Sequence, residues 1–249
     1  EQPSGAIAFK CHHDGCINND WEALRKLKEP EKIISPQPCL QSKTADEIIA
    51  ENDIESLDPN ELLEHRFLCR CGGLLFVGPS GFGKSSFLTQ ASLTWAMGKP
   101  MIGINPNRAL RILIVQAEND DRDVAEQIVG AVKGFMDNNP ELDNACIQTA
   151  LKNIDIVRES ALTSEAFISS LDGKLASYSV EEKRDLVIID PLFAYCGCDV
   201  SDQGQMSKFL RNWLNPKIER HNVGLLMCHH TNKPPKGEIV VVVAGNSKK

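Results

Sequence analysis

A glycine-rich segment between a short apolar run and a helical stretch restricts the fold of this chain more than any other feature. The apolar run is Leu74–Val77, the segment is Gly78–Ser85, and the stretch that follows predicts a helix over Lys84–Met97. The segment fits the pattern G-x-x-x-x-G-K-[ST] in the strand–loop–helix setting that the pattern requires. Its glycines let successive backbone N–H groups point at a polyphosphate, and the helix dipole adds to that attraction. The segment therefore predicts a nucleotide-binding loop.

Individual positions of this loop have separate expected tasks. Lys84 is expected to reach the β- and γ-phosphates, and the Ser85 hydroxyl is expected to ligate Mg²⁺. The residues expected to bind the nucleotide are Gly78, Pro79, Ser80, Gly81, Phe82, Gly83, Lys84, Ser85, Ser86 and, from a later strand, Asp190.

Aliphatic runs alternate with helical stretches from Gly72 onward. The predicted strands after the first are Arg111–Val115, Ile154–Val157, Leu186–Ile189 and Gly224–Cys228. The predicted helices after the first are Asp120–Met136, Ser164–Ala176 and Ser201–His221, the last kinked at Pro216. Aliphatic runs without polar alternation are typical of strands covered on both faces. The pattern predicts an α/β fold with a mostly parallel sheet flanked by helices and preceded by a short N-terminal appendage.

Three zones are predicted along the chain. Residues 1–30 form a segment bearing Cys and His, residues 31–66 a linker with short helices, and residues 67–249 the α/β domain. The helical patterns of the linker cover Ala45–Glu51 and Asp58–His65. The chain begins at a glutamate and ends in Ser-Lys-Lys without a closing element, so we expect it to be a piece of a longer protein, truncated at its C-terminus.

Two carboxylates follow predicted strands. Asp190 comes directly after four aliphatic residues, where it could hold the metal or its water, and the alternative is that it caps a turn before Pro191. Glu118 would project from the edge of the sheet where ligands bind in open α/β folds. Its alternative is a helix cap or first-turn acid, a role for which Asp120 is equally suited.

Two histidines follow the last predicted strand, in Met227-Cys228-His229-His230-Thr231-Asn232. A polar side chain at this place could hydrogen-bond the γ-phosphate and report its presence. A metal site and a solvated loop are the alternatives, and a metal site needs more ligands in range.

The phosphate loop, the glutamate after the second strand, the Asp-Pro after an aliphatic run and the His-His-Thr together resemble the RecA-like ATPases. The chain is most similar to the RepA-type replicative helicases and their AAA-labelled ATPase relatives over roughly residues 60–235. The resemblance implies ATP and Mg²⁺ as cofactors, and the sequence lacks an Asn-Lys-x-Asp motif for reading guanine. It also implies that Glu118 polarises the attacking water and that His230, with His229 as the alternative, senses the γ-phosphate for DNA-contacting loops.

The same resemblance implies a helicase-type motor on single-stranded DNA in plasmid, phage or mobile-element replication. Such proteins form homo-oligomeric rings in which the neighbouring subunit donates an arginine. Residues 222–249 contain no arginine, which is the departure from the pattern. Arg211 and Arg220 precede this stretch on a predicted helix surface. A regulatory ATPase that switches a protein partner is therefore the rival hypothesis, and a small-molecule kinase is disfavoured because no arginine-rich lid segment is present.

The first zone carries a cysteine–histidine cluster. Cys11, His13 and Cys16 resemble the closing half of the zinc-binding segments of primase-like replication proteins, whereas a closed zinc site needs four ligands. Cys39, Cys69 and Cys71 are the available substitutes, and ordinary reduced side chains are the alternative.

Composition limits the partners and the compartment. The formal net charge is −7, so the chain is not a uniformly basic nucleic-acid coat, and any DNA contact needs a local basic surface. No stretch approaches 18 uninterrupted apolar residues, so we expect no membrane partner. The nine cysteines come without a signal-peptide pattern, which favours reduced thiols and a cytoplasmic protein.

Overall fold

The computed structural model describes residues 42–53 and 56–231, and the chain divides into two compact units, Glu1–Glu55 and Ser56–Lys249. In the first unit, helix α1 (Ala45–Glu51) confirms the first helical pattern of the linker. Thr44 and Glu47 form a capping box, in which the Thr44 hydroxyl accepts from the Glu47 amide and the Glu47 carboxylate accepts from the Thr44 amide. The local sequence therefore supplies the interactions that begin this helix.

The second unit is built on a parallel sheet. A small antiparallel pair, β1 (Glu61–Leu63) and β2 (Leu68–Cys69), precedes it. The strands of the sheet are β3 (Gly73–Pro79), β4 (Ile112–Gln116), β5 (Ile154–Arg158), β6 (Leu186–Asp190) and β7 (Gly224–Thr231). Their spatial order is β3-β7-β6-β4-β5, and all neighbouring strands run parallel. The predicted α/β fold of the RecA-like type is thereby confirmed.

Helices cover both faces of this sheet. They are α2 (Lys84–Ala96), α3 (Asp121–Asn138), α4 (Asn144–Lys152), α5 (Ser164–Ala176), α6 (Phe193–Cys196), α7 (Gln203–Ser207), a π-helix (Lys208–Leu214) and α8 (Asn215–His221). No helix of the described residues is both long enough and apolar enough to cross a bilayer. The sequence did not predict α4, whose buried residues are Ile147 and Ala150.

Strand β6 separates two hydrophobic cores. All five of its residues are buried, as expected of a central strand in a parallel sheet. Its residue Ile188 belongs to the core that contains Leu88 and Trp95 of α2. Its residues Val187 and Ile189 point the other way, into the core that contains Phe167 and Phe209. The alternation fixes β6 in register, because a one-residue slip would exchange the two faces.

The prediction of a second helix in the linker, over Asp58–His65, is wrong. Its residues form a turn followed by β1, and the Asn60 and Leu62 carbonyls accept hydrogen bonds from Arg70 and Asn107 amides at 2.7 and 3.3 Å. Leu62 and Leu63 are adjacent and both almost fully buried. These tertiary contacts outweigh the local helical pattern, since helix propensity is only a weak prior.

The helix predicted over Ser201–His221 is interrupted. Its first helical residue is Gln203, and Asp202 is the N-cap. The helix then widens to a π-helix over Lys208–Leu214 before α8 begins. Pro216 lacks the N–H that would donate to the carbonyl four residues earlier, and its ring crowds that carbonyl. The wider turn just before Pro216 accommodates this defect, so the predicted kink takes the form of a π-helix.

An ion-pair cluster fixes the amino-terminal edge of the sheet. Asp185, which directly precedes β6, accepts from Arg70 at 2.5 Å, from Arg108 at 2.6 and 2.9 Å, and from the Arg111 amide at 2.9 Å. Burial by itself would raise the pKa of Asp185. The hydrogen bonds from Arg108, the Arg111 amide and Arg70 outweigh burial and hold the pKa below its ordinary value of 3.8.

We expect Asp185→Ala to lower the free energy of unfolding by about 3 kcal/mol, because it leaves partly buried guanidinium groups without their carboxylate. Arg122→Ala, which removes an exposed i,i+4 pair, should change it by about 0.5 kcal/mol or less. Urea denaturation at neutral pH measures both variants. In the unmodified protein the contribution of Asp185 is present above pH 3.8 and is lost as pH falls through the lower folded-state pKa. Equal effects of the two variants would contradict this account.

Candidate active site

The carboxyl ends of the parallel strands bring the predicted site residues to one edge of the sheet. Strand β7 lies between β3 and β6, and its register places His230 opposite Gly78 of the phosphate loop. On the other side of β6, Asp190 lies opposite Gln116, two residues before Glu118. The Ala117 amide donates to the Asp190 carbonyl at 3.2 Å, which ties the loop of Glu118 to the end of β6.

The phosphate loop has the backbone of an anion cradle. Gly81 and Gly83 have φ of 83° and 75°, which disfavour any residue with a Cβ. A Cβ at either position would meet no atom within 4 Å, so the space in front of the loop is open. Gly83 is the N-cap of α2, whose first amides therefore face this space. Ser80, Phe82 and Ser86 are exposed beside it.

Lys84 is buried, with 6% of its surface exposed. Its Nζ donates to the carbonyls of Gly78 and Pro79 at 2.9 and 2.8 Å. The ammonium group therefore lies inside the curl of its own loop, where it can exchange carbonyl acceptors for phosphate oxygens. This position agrees with the task expected of Lys84.

Ser85 and Asp190 line the same cleft. Gln116 and Asn119 add polar groups to the wall of this cleft, whose other lining residues are mostly aliphatic. A hydroxyl and a carboxylate are hard oxygen donors of the kind that Mg²⁺ prefers. Asp190 is only 8% exposed and makes no ion pair with the described part of the chain. The residues present therefore fit a magnesium ion accompanying a bound nucleotide.

Glu118 and His230 meet at this edge. The His230 Nε2 lies 3.7 Å from the Glu118 Oε1, while half of the Glu118 side chain remains exposed. His230 Nδ1 is buried and has no hydrogen-bond partner within the described residues. The helix-cap alternative for Glu118 does not apply, because Asp120 is the N-cap of α3 and accepts from the Asp123 amide.

His229 lies one residue earlier on β7, opposite Val77 of β3. Burial lowers the pKa of His229, and the neighbouring His230 and Lys84 lower it further. This imidazole is therefore neutral at pH 7. The metal-site alternative for the two histidines finds no support in residues 42–53 and 56–231, where no group of three or more His, Cys, Asp or Glu side chains could hold a metal ion.

The predicted zinc ligands receive no structural account. Cys11, His13, Cys16 and Cys39 lie outside the described residues. Cys69 and Cys71 are described, and both are free thiols.

Sequence reasoning missed three residues at this edge. Gln116 fixes the loop that carries Glu118, because its side chain donates to the Asn119 carbonyl at 2.8 Å and accepts from the Asn119 amide at 2.9 Å. Cys228 is buried between Asp190 and the phosphate loop, and Phe193 contacts the His230 ring edge-on at 5.6 Å. The polar Gln116 at the end of an aliphatic strand was the available signal for the first. No sequence signal pointed to the other two.

Cys228 should be chemically inert in the folded protein. Burial raises the pKa of its thiol, and the neighbouring Asp190 carboxylate raises that pKa further, so the reactive thiolate is scarce at neutral pH. We expect iodoacetamide at pH 8 to alkylate the exposed Cys71 at least about tenfold faster than Cys228. Timed alkylation with mass spectrometry measures both rates. Urea-unfolded protein is the control, and equal rates in the native protein would contradict the buried placement of Cys228.

Comparison with known proteins agrees with this geometry. A sequence profile described as an AAA domain matches residues 40–236, a range that includes the phosphate loop, Glu118, Asp190 and His230. A search of curated proteins finds no match to the chain. Because the profile covers most of the sequence and the site contains the phosphate loop of an AAA-type ATPase, the chain belongs to the AAA domain family.

Proposed function

We propose that this AAA-type ATPase domain hydrolyses ATP as a helicase-type motor on single-stranded DNA, in plasmid, phage or mobile-element replication. The observation that carries the proposal is the contact between Glu118 and His230. It joins the residue that would align the attacking water to the residue that would sense the γ-phosphate. A motor needs such a connection, because the state of the nucleotide must reach the surface that holds DNA.

Each side chain has a task that follows from its surroundings. Lys84 leaves the carbonyls of Gly78 and Pro79 and donates to phosphate oxygens, while the amides at the start of α2 stabilise the negative charge. Ser85 and Asp190 would hold the Mg²⁺ ion, which when bound neutralises charge on the phosphates. Glu118 accepts a hydrogen bond from water and orients it toward the γ-phosphate.

His230 links this chemistry to the surface. Hydrolysis removes the group that its imidazole would contact, and the ring is then free to move relative to Glu118. Phe193, which is 46% exposed and touches the His230 ring, is the first surface group that such a movement would displace. An exposed aromatic ring is suited to stacking on a base of single-stranded DNA.

A second candidate is a slow regulatory ATPase that switches a protein partner. The arginines observed before β7 favour it, because Arg220 is held by Asp172 at 3.2 Å and Arg211 lies exposed on the π-helix. A transition-state arginine from elsewhere would be required for fast turnover.

Steady-state ATP hydrolysis with and without single-stranded DNA separates the two candidates. We expect DNA to stimulate turnover. We expect Glu118→Gln to lower the rate of hydrolysis at least about 100-fold while ATP still binds. Lys84→Ala should lose ATP binding at the phosphate loop, because the ammonium group that would contact the phosphates is removed. Tight ATP binding with negligible turnover that DNA does not change would reject the motor and favour the regulatory switch.

Gln116→Leu tests the support of the Glu118 loop. The leucine keeps the volume but removes both hydrogen bonds to Asn119, so we expect kcat to fall about tenfold with little change in KM. Gln127→Leu, on α3 in the wall of the same cleft, is the matched control and should leave kcat within about twofold. If Gln116→Leu changes KM alone, Gln116 acts on nucleotide binding and the positioning role is wrong.

A further inference from the structure

A cleft at the amino-terminal edge of the sheet is lined by five cationic side chains. Its lining includes Arg70, Arg108, Arg111, Lys183 and Arg184 around the buried carboxylate of Asp185. These residues come from the segments that enter β3, β4 and β6. The length of β6 separates the cleft from Asp190 by roughly 15 Å, since a strand rises about 3.3 Å per residue. The cleft is therefore a different place from the nucleotide site.

The cations of this cleft outnumber the carboxylates near them. Asp185 accepts from both Arg70 and Arg108, and one carboxylate cannot neutralise two guanidinium groups. The side chains of Arg111 and Lys183 form no ion pair with the described part of the chain. His221 also borders the cleft, but its ring is held by Asp172 at 2.7 Å.

Burial of Arg184 adds to the energetic cost of this excess of positive charge. Only 8% of its side chain is exposed. Its guanidinium contacts Asp155 at 3.0 Å, donates to the Asn153 carbonyl at 3.3 Å and lies 4.3 Å from the centre of the Tyr178 ring. Asp155 is shared with Lys174 at 3.6 Å, and the Nε of Arg184 is buried without a hydrogen-bond partner among the described residues. When Asp155 with its second cation Lys174, and Glu181 next to Arg111, are counted as well, six cations face three carboxylates. An excess of positive charge in a partly buried cleft favours the binding of an anion.

We propose that this cleft is a second anion site, which binds an oligophosphate such as a di- or triphosphate group. Guanidinium forks match pairs of phosphate oxygens, and hydrogen bonds between ionised partners are the strong ones. Arg111 and Lys183 are free to turn toward such a ligand, while Arg70 and Arg108 remain on Asp185 and form the wall. None of the residues lining the cleft is Phe, Tyr or Trp, and the His221 ring at its border is held by Asp172, so the cleft offers no free aromatic ring on which a base would stack. The phosphate groups themselves, inorganic or carried by a nucleotide, are the feature it recognises.

The test is isothermal titration calorimetry with inorganic tripolyphosphate at about 0.15 M salt, where weak surface attraction is screened. Lys84→Ala is present in every protein, so that the phosphate loop does not contribute. We expect one site per chain, and we expect Arg111→Ala with Lys183→Ala to weaken it at least about tenfold. These substitutions keep the hydrogen bond that the Arg111 backbone amide donates to Asp185. Urea unfolding checks that the fold is retained.

The matched control removes the same charge elsewhere. Arg122→Ala with Lys133→Ala deletes two exposed cations of α3, outside the cleft, and should leave tripolyphosphate affinity within about twofold. Equal weakening by both pairs would mean diffuse attraction and would overturn the proposal. So would the absence of tripolyphosphate binding at millimolar concentration.

Two further ligands identify the source of the phosphate. ATP in the same Lys84→Ala background binds with an affinity close to that of tripolyphosphate if only the phosphates are recognised, and much more tightly if the cleft belongs to a nucleotide. Either result supports an oligophosphate site when Arg111→Ala with Lys183→Ala weakens it. An oligothymidine that binds through Arg111 and Lys183 when tripolyphosphate does not would make the cleft a nucleic-acid contact and overturn the proposal.

Discussion

The five strands of the sheet run in one direction, so every strand delivers its last residue to the same edge. The register then decides which residues become neighbours there. Because β7 lies between β3 and β6, His230 comes opposite Gly78, and because β6 pairs with β4, Asp190 comes opposite Gln116. The phosphate loop, the buried carboxylate, the exposed glutamate and the histidine are thus brought together by backbone pairing rather than by contacts between their side chains.

The two ends of β6 show how one strand serves stability at one edge and chemistry at the other. Asp185 directly precedes the strand and forms ion pairs with Arg70 and Arg108. These ion pairs hold the amino-terminal edge together. Asp190 ends the strand nearly as deeply buried, with the Cys228 thiol beside it and no arginine. An unpaired buried carboxylate costs stability, and such a cost is typical of a position kept for binding a cation.

The sequence predicted those parts of the fold in which local pattern and tertiary position agree. The strand–loop–helix around Lys84 and the aliphatic strands were of this kind, although the expected burial on both faces holds at every residue only for β6, and Leu75 and Val77 of β3 are half exposed. The helix predicted over Asp58–His65 failed because Leu62 and Leu63 are drawn into the core by partners that lie far away in the sequence. Helix α4 was missed because it has only two buried residues and a short amphipathic pattern.

The candidate site was predictable as a set of residues but not as a geometry. Glu118 and His230 could each be named from their place after a strand, whereas their contact depends on the spatial order of β4, β6 and β7. The same limit applies more strongly to the cationic cleft. Arg70 and Arg184 lie more than a hundred positions apart in the sequence, and nothing in either local pattern predicts that they share a wall.

A crystal structure with a non-hydrolysable ATP analogue and Mg²⁺ would show whether Glu118 and His230 both face the γ-phosphate. The account predicts that Lys84 Nζ leaves the carbonyls of Gly78 and Pro79 for phosphate oxygens, that Ser85 and Asp190 face the metal, and that His230 lies within hydrogen-bond distance of the γ-phosphate. A nucleotide bound with His230 and Glu118 both turned away from its γ-phosphate would contradict the account, because hydrolysis could not then be sensed through their contact.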